Sequence, residues 1–242
     1  MTTPAPPIEP SPAGADLRTS RFSGRDEGVR LFVDRLLPLL PADSGARVLD
    51  LGCGTGDLTL RLERSRPSLS FTGVDLSPSN IEQAQRGGAG PAIQFFCADY
   101  IGWNHGHFDV IAADSVLHLI VAPIGILAEK LALDLRPGGL LVATVPDCAA
   151  INLVHLGLRR LWRCTPAAAD RLALRMGRAI YPDFPIDALA ERLPYLRILP
   201  RLFGTSVQRA FAAAGLNPIR CEAWPSSSIA KPRHRFMVWR RA

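Results

Sequence analysis

The stretch VLDLGCGTGD (48–57) decides how this chain is read. An apolar run over 48–51 ends in glycines at 52, 54 and 56, and an amphipathic segment, DLTLRLERS (57–65), starts directly after it. Glycines in such a strand-to-helix turn permit tight backbone geometry and let a ligand approach the main chain. The helix amino terminus then offers N–H groups to a polar ligand. Working outward, SFTGVDL (70–76) reads as a second strand, and SPSNIEQAQR (77–86) as a helix with Ser77 at the N-cap position and Pro78 at its first position. IQFFCAD (93–99), FDVIAAD (108–114) and GGLLVATVP (138–146) are further strands, with a helix over about 123–135 before the last. A helix over about 28–40 precedes them all, with Val29, Phe32, Val33, Leu36, Leu37 and Leu40 on one face and Pro38 and Pro41 marking its end. Five strands separated by helices predict a parallel, doubly wound α/β sheet.

The pattern changes after residue 146. Residues 147–203 hold no convincing strand, six arginines between 159 and 178, and prolines at 166, 182, 185, 194 and 200, which predicts several short helices joined by proline turns. A helix, SVQRAFAAAG (206–215), and two strands, NPIRCEAW (217–224) and HRFMVWRR (234–241), close the chain.

With 48% apolar and 21% charged residues among 242, the chain can bury a sizeable core, which excludes a wholly disordered protein. The longest apolar stretch, VLHLIVAPIGILA (116–128), is interrupted by His118, Pro123 and Gly125 and falls short of the roughly 20 residues a membrane-spanning helix needs. Residues 1–16 carry five prolines and neither a basic nor an apolar block, so they read as a flexible leader and not a secretory signal. The five cysteines, Cys53, Cys97, Cys148, Cys164 and Cys221, form no CxxC pair, which excludes a disulfide scaffold or zinc ribbon and predicts a cytoplasmic protein. Charge is uneven. Residues 1–150 carry 12 basic against 17 acidic side chains (−5), and residues 151–242 carry 16 against 5 (+11). The basic half suits an acidic small molecule, RNA, an anionic membrane, or plain solvent.

Taken in order, VLDLGCGTG, GVDLS (73–77), CADY (97–100), FDVI (108–111), DSVLHL (114–119) and LRPGGLLVATVP (135–146) resemble the class I S-adenosylmethionine-dependent methyltransferases, most closely their small-molecule "type 11/12" branch. The resemblance covers roughly residues 30–146. It implies a Rossmann-like, mostly parallel seven-stranded sheet with an antiparallel C-terminal strand, and S-adenosylmethionine as cofactor, leaving S-adenosylhomocysteine as product. Asp50, Gly52, Cys53, Gly54 and Gly56 would then wrap the methionine part. Asp75 would hold the ribose hydroxyls with Leu76 beside the adenine, Asp99 would accept from the adenine amino group with Tyr100 next to it, and Asp114 and Ser115 would sit by the methionyl group. The chain divides accordingly into a leader (1–16), a cofactor-binding core (17–146), a helical lid insertion (147–203) and a C-terminal helix and strand pair that completes the core (204–242).

A nicotinamide dehydrogenase is the nearest rival on such a sheet, but its GxGxxG fingerprint requires glycine where Asp57 stands. The methyl donor is already activated, so alignment does much of the work, and His118, four residues after Asp114, is the candidate base, with an unperturbed pKa near ~6.5. Asp114 and Asp147 end the fourth and fifth strands, where carboxylates could share a metal, but the Asp–Asn pair of catechol-type enzymes is absent, since Cys148 follows Asp147. No metal is expected. In the insertion, His155, Arg159, Trp162, Tyr181, Phe184 and Tyr195 are candidate acceptor-wall residues, and Arg159, Arg160 and Arg163 could bind an acceptor carboxylate or phosphate. The same basic helix could instead touch a membrane peripherally. The loop after the fourth strand, ADSVLHL, lacks the (N/D/S)PP(Y/F) pattern of base-amino methylases, which disfavours nucleic acid. The reading is transfer of a methyl group to oxygen or nitrogen of a small apolar or anionic metabolite. The alternatives are an RNA or protein methyltransferase, or a non-catalytic S-adenosylmethionine-binding protein, and the oligomeric state stays open.

Overall fold

The computed structural model describes residues 23–42, 45–88, 90–165, 169–180, 186–190, 193–225 and 231–242. The leader lies outside them, as do Tyr181 and Phe184. Along the chain, α1 (Ser23–Leu36) leads into a 3-10 turn (Leu37–Leu39) and then β1 (Arg47–Leu51), α2 (Asp57–Ser65), β2 (Ser70–Asp75), α3 (Pro78–Arg86), β3 (Ile93–Cys97) and β4 (Phe108–Asp114). They are followed by α4 (Ile124–Asp134), β5 (Leu135–Pro146), α5 (Ala150–Arg163), α6 (Asp170–Ile180), α7 (Ile186–Ala190), α8 (Leu193–Leu196), α9 (Thr205–Ala213), β6 (Leu216–Ala223) and β7 (His234–Arg241). The seven strands form one sheet in the order β3-β2-β1-β4-β5-β7-β6. The first five are parallel, and β7 runs antiparallel to both β5 and β6. The expected fold class is the one observed.

Strand order reverses direction between β1 and β4, and open α/β sheets bind ligands outside the carboxyl ends of the strands at such a switch point. Apolar side chains cover both faces. On one, Phe211 of α9 and Trp239 of β7 are fully buried with ring centroids 5.2 Å apart, against Leu127 and Leu131 of α4. On the other, Val29, Phe32, Val33 and Leu36 of α1 pack with Phe71, Phe236 and Val238, which is the apolar face expected of that helix.

Two boundaries move. The first helix begins at Ser23 and hands over to the 3-10 turn at Leu37, because Pro38 is tolerated at the start of a helical turn but not inside one. The fifth strand begins at Leu135 and not at Gly138, so Arg136 and Pro137 lie within it too. Leu135 pairs with Phe108 and Leu140 with Val110, so the strand carries an irregularity, and Gly138 absorbs it at φ +78°. Ser77 caps α3 as expected, its hydroxyl accepting the Asn80 N–H at 3.2 Å. Between β5 and α9 the described residues form helices α5 to α8 and no strand.

Candidate active site

The glycine turn folds over the neighbouring strand. The N–H groups of Gly52 and Cys53 both donate to the Val74 carbonyl, at 2.8 and 3.1 Å. Gly52 has φ +71°, and a Cβ there would lie 2.4 Å from Val116 Cγ2, so the turn and the loop after β4 touch with no room for a side chain. Gly54 N–H donates to Asp75 Oδ2 at 2.9 Å, while Asp75 Oδ1 accepts from Ser77 N–H at 2.9 Å and Asn80 Nδ2 at 3.1 Å. Asp75 is thereby fixed between the glycine turn and the start of α3. Gly56, at φ +81°, is the N-cap of α2 and brings no side-chain bond to its first-turn N–H groups.

Asp50 and Cys53 support the turn from below. Asp50 is buried and accepts the Thr59 hydroxyl at 2.6 Å, which ties β1 to α2. Cys53 is buried too, with its Sγ packed where Gly73 lacks a Cβ. Half-buried Leu76 and exposed Asp99 follow the ends of β2 and β3, and Asp99 Oδ1 accepts the Ile101 N–H at 3.1 Å. Tyr100 turns elsewhere: its ring is buried in the core with Lys130 Nζ 5.0 Å from the centroid, where burial and the Asp134 carboxylate push its hydroxyl pKa up. The structure therefore does not bring its ring to the strand ends.

At the end of β4, Ser115 is the one non-glycine residue among those described with positive φ, 59°. Thr144 of β5, which the sequence did not single out, holds it there. The Thr144 hydroxyl donates to Asp114 Oδ1 at 2.5 Å and accepts the Ser115 N–H at 2.8 Å. A lone threonine in the apolar run LLVATV was the available signal, since a buried hydroxyl requires a partner.

His118 needs a correction. Burial, His234 and Arg159 push its pKa down to about 3, so it is neutral at pH 7 and a poor proton acceptor, not the base with an ordinary pKa that its position implied. Its ring meets that of His234 at 5.8 Å, nearly edge to face. His234, also missed, lies at the start of β7. Burial lowers its pKa, while the Pro232 carbonyl, Asp114 and Asp147 pull the other way. Only the sheet pairing that sets His234 opposite Pro146 brings it here.

Helix α5 is stapled to this edge by Asn152, again unforeseen. Its amide donates to the Arg233 carbonyl at 2.7 Å and the Asp147 carbonyl at 2.9 Å, and its oxygen accepts the Arg233 N–H at 2.9 Å. Asp147 accepts from Ala149 N–H and Asn152 and pairs with Arg235 at 3.4 Å. Among the described residues no group of three or more His, Cys, Asp or Glu is placed to hold a metal. Of the expected acceptor-wall residues, Arg159 and Tyr195 meet: Arg159 Nη1 donates to the carbonyls of Tyr195 and Ile198, both at 3.1 Å. His155 and Trp162 lie half-buried on α5, while Arg160 and Arg163 are exposed.

A ligand that joins a ribose, a sulfonium cation and an amino-acid group needs a carboxylate for the hydroxyls, an anion near the cation and bare main chain for close approach. Asp75, Asp114 and the 52–56 turn supply these from adjacent strand ends, so the residues present fit S-adenosylmethionine. The methyltransferase domain family model matches residues 48–139. The trans-aconitate 2-methyltransferase of Rhodopseudomonas palustris is 34% identical over 192 residues, covering 77% of this chain and 72% of that protein. The chain belongs to the S-adenosylmethionine-dependent methyltransferases. A methyltransferase of the same printed name from Methylobacterium nodulans is 36% identical over 163 residues, 66% of this chain and 60% of its own. This family member spans about three fifths of the length of several curated relatives it matches. The N-methyltransferase NodS from Bradyrhizobium japonicum, solved with S-adenosylhomocysteine, shares the fold at TM-score 0.55 and 18% identity, over 88% of this chain and 86% of NodS.

Proposed function

We propose that the protein transfers the methyl group of S-adenosylmethionine to an oxygen or nitrogen atom of a small metabolite, beneath a lid formed by residues 147–203. The observation that carries this reading is the bond from Gly54 to Asp75. It draws the glycine turn and the Asp75 carboxylate together at the carboxyl ends of neighbouring strands, beside the switch point. In that role Asp75 would hold the ribose, the 52–56 turn and Asp114 the methionyl part, and Asp99 the adenine. The cofactor supplies an activated methyl group when bound. The protein's task is then to orient the acceptor and exclude water, and alignment of this kind is worth on the order of 7–11 kcal/mol in model reactions. With its low pKa, His118 acts as a neutral polar wall and takes no proton at pH 7. An anionic acceptor is favoured by the relatives named for trans-aconitate, a carboxylic acid.

The test is incubation of purified protein with methyl-labelled S-adenosylmethionine and a metabolite extract, counting label in solvent-extractable, protein and RNase-sensitive fractions. Label in the extractable fraction supports the reading. Label in RNA or protein overturns the substrate class, and no label despite cofactor binding moves a non-catalytic role to the front.

A second reading of the lid's outer face has its own observation. Leu153, Val154, Leu158 and Leu161 of α5 are all more than half exposed, beside exposed Arg160 and Arg163, and Arg171 and Arg175 on α6 are exposed too. An apolar stripe edged by arginines suits peripheral contact with an anionic bilayer. Co-sedimentation with phosphatidylserine vesicles, lost in L158E/L161E, is the expected outcome. No helix of the described residues is long and apolar enough to cross a membrane.

A further inference from the structure

Beside the loop that follows β4 lies a pocket of about 380 Å³, walled chiefly by His118, Leu119, Ile120, Val121, Leu199 and Arg201. Its lining is aliphatic apart from its two basic residues. Arg201 is held rigidly: its N–H donates to the His118 carbonyl at 2.9 Å, and its Nη2 donates to the Ala122 carbonyl. Its Nη1 is buried without a hydrogen-bond partner among the described residues, and so is His118 Nδ1. Arg159 approaches from α5, fixed by the Ile198 carbonyl three residues before Arg201. Burial depresses the pKa of both guanidinium groups, which nonetheless stay charged at neutral pH.

Neither arginine meets a carboxylate among the described residues. The nearby acids are engaged elsewhere, Asp114 with Thr144 and Ser115, and Asp147 with Arg235, Asn152 and the Ala149 N–H. Partly buried cations without a counter-charge are costly, and a pocket that keeps Arg201 in an aliphatic wall, with Arg159 close enough to act on His118, calls for an anion with an apolar body. We propose that this pocket takes the methyl acceptor by a carboxylate, which supplies the counter-charge that Arg201 and Arg159 lack, with Arg201 as the specificity-determining residue. The proposal rests on the methyl-transfer reading above and names its substrate class. Planar carboxylates match the guanidinium fork. They are also ionised at neutral pH, so an acceptor methylated on a second carboxylate oxygen needs no base, in keeping with His118.

The experiment is calorimetric titration of the full chain with S-adenosylhomocysteine first, then with trans-aconitate, citrate, succinate, the trimethyl ester of trans-aconitate, and inorganic phosphate. The expected result is that at least one free acid binds and its ester binds at least tenfold more weakly. In Arg201→Gln the acid loses about 10- to 100-fold in affinity, Arg201→Lys falls between, and S-adenosylhomocysteine affinity stays within about twofold, since Arg201 is outside the cofactor residues. Equal affinity of wild type for acid and ester overturns the proposal, and that arm needs no variant to fold. Unchanged acid binding in R201Q, binding of phosphate alone, or binding of no probe overturns it equally. Absence of S-adenosylhomocysteine binding in the wild type counts against the methyl-transfer reading instead, and the acid-versus-ester comparison still decides the pocket.

Discussion

The carboxylate of Asp75 accepts the backbone N–H of Gly54 at 2.9 Å, across 21 residues of chain. One side chain thus ties the glycine turn to the start of α3, and in the proposed role it would also hold the ribose. Asp75→Ala is expected to weaken S-adenosylhomocysteine binding by about 10- to 100-fold, the range for losing hydrogen bonds to a charged group, as measured by calorimetry. Asp75→Asn keeps an acceptor oxygen and should lose less. Equal affinity in D75A and wild type would remove Asp75 from the site.

Gly52 sits at φ +71° with Val116 filling the space where a Cβ would stand. Gly52→Ala meets both backbone strain and a clash, and strain in such regions costs of order 1–3 kcal/mol. The variant should unfold at lower denaturant and bind cofactor more weakly. Trimming the neighbour, in G52A/V116A, should restore part of the loss, because Val116 Cγ2 is the nearest atom at 2.4 Å.

Acid sensitivity follows from the two histidines at the strand ends. His118 has its pKa pushed down to about 3 in the folded protein, and that of His234 is lowered as well. In the unfolded chain both titrate near ~6.5. Between these values the unfolded state binds more protons, so stability rises with pH there. This contribution is complete above about pH 6.5 and is lost as pH falls toward 3. Urea denaturation from pH 7.5 to 4 should show a shallower slope of stability against pH in His118→Gln than in wild type. Parallel slopes would mean that the folded protein protonates His118 as easily as the unfolded chain does.

Asn152 is buried and joins α5 to the entry of β7 and to Asp147. Asn152→Ala leaves partly buried backbone groups without their side-chain partner, at no more than about 1–3 kcal/mol, and lowers the melting temperature by several degrees. It also loosens the helix that carries Arg159. Acceptor KM should therefore rise more than cofactor affinity falls, which steady-state kinetics and calorimetry separate.

Much of this molecule could be read from local pattern. Alternating strand and helix periods, the glycine turn and the Ser77–Pro78 helix start lie within a few residues of chain, so their physics is local and the sequence displays it. Strand-end acids were legible for the same reason: a carboxylate closing an apolar run marks the sheet's carboxyl edge, as at Asp75, Asp99 and Asp114.

Tyr100, Arg159 and Arg160 show where that legibility stops. Position beside Asp99 made Tyr100 look like part of the adenine site, but its ring is drawn into the core by α4, some thirty residues away. Arg159 and Arg160 are neighbours of one type in the sequence, yet the first turns inward to the Tyr195 and Ile198 carbonyls and the second faces solvent. The amino-acid order by itself determined the layered sheet, its glycine turn and the family. Tertiary structure alone decided the placement of Thr144, Asn152, Arg201 and His234, and with it the low pKa of His118. These depend on desolvation and on contacts between strands and helices far apart in the chain, and hydrophobic periodicity carries no record of which distant charge will lie next to which.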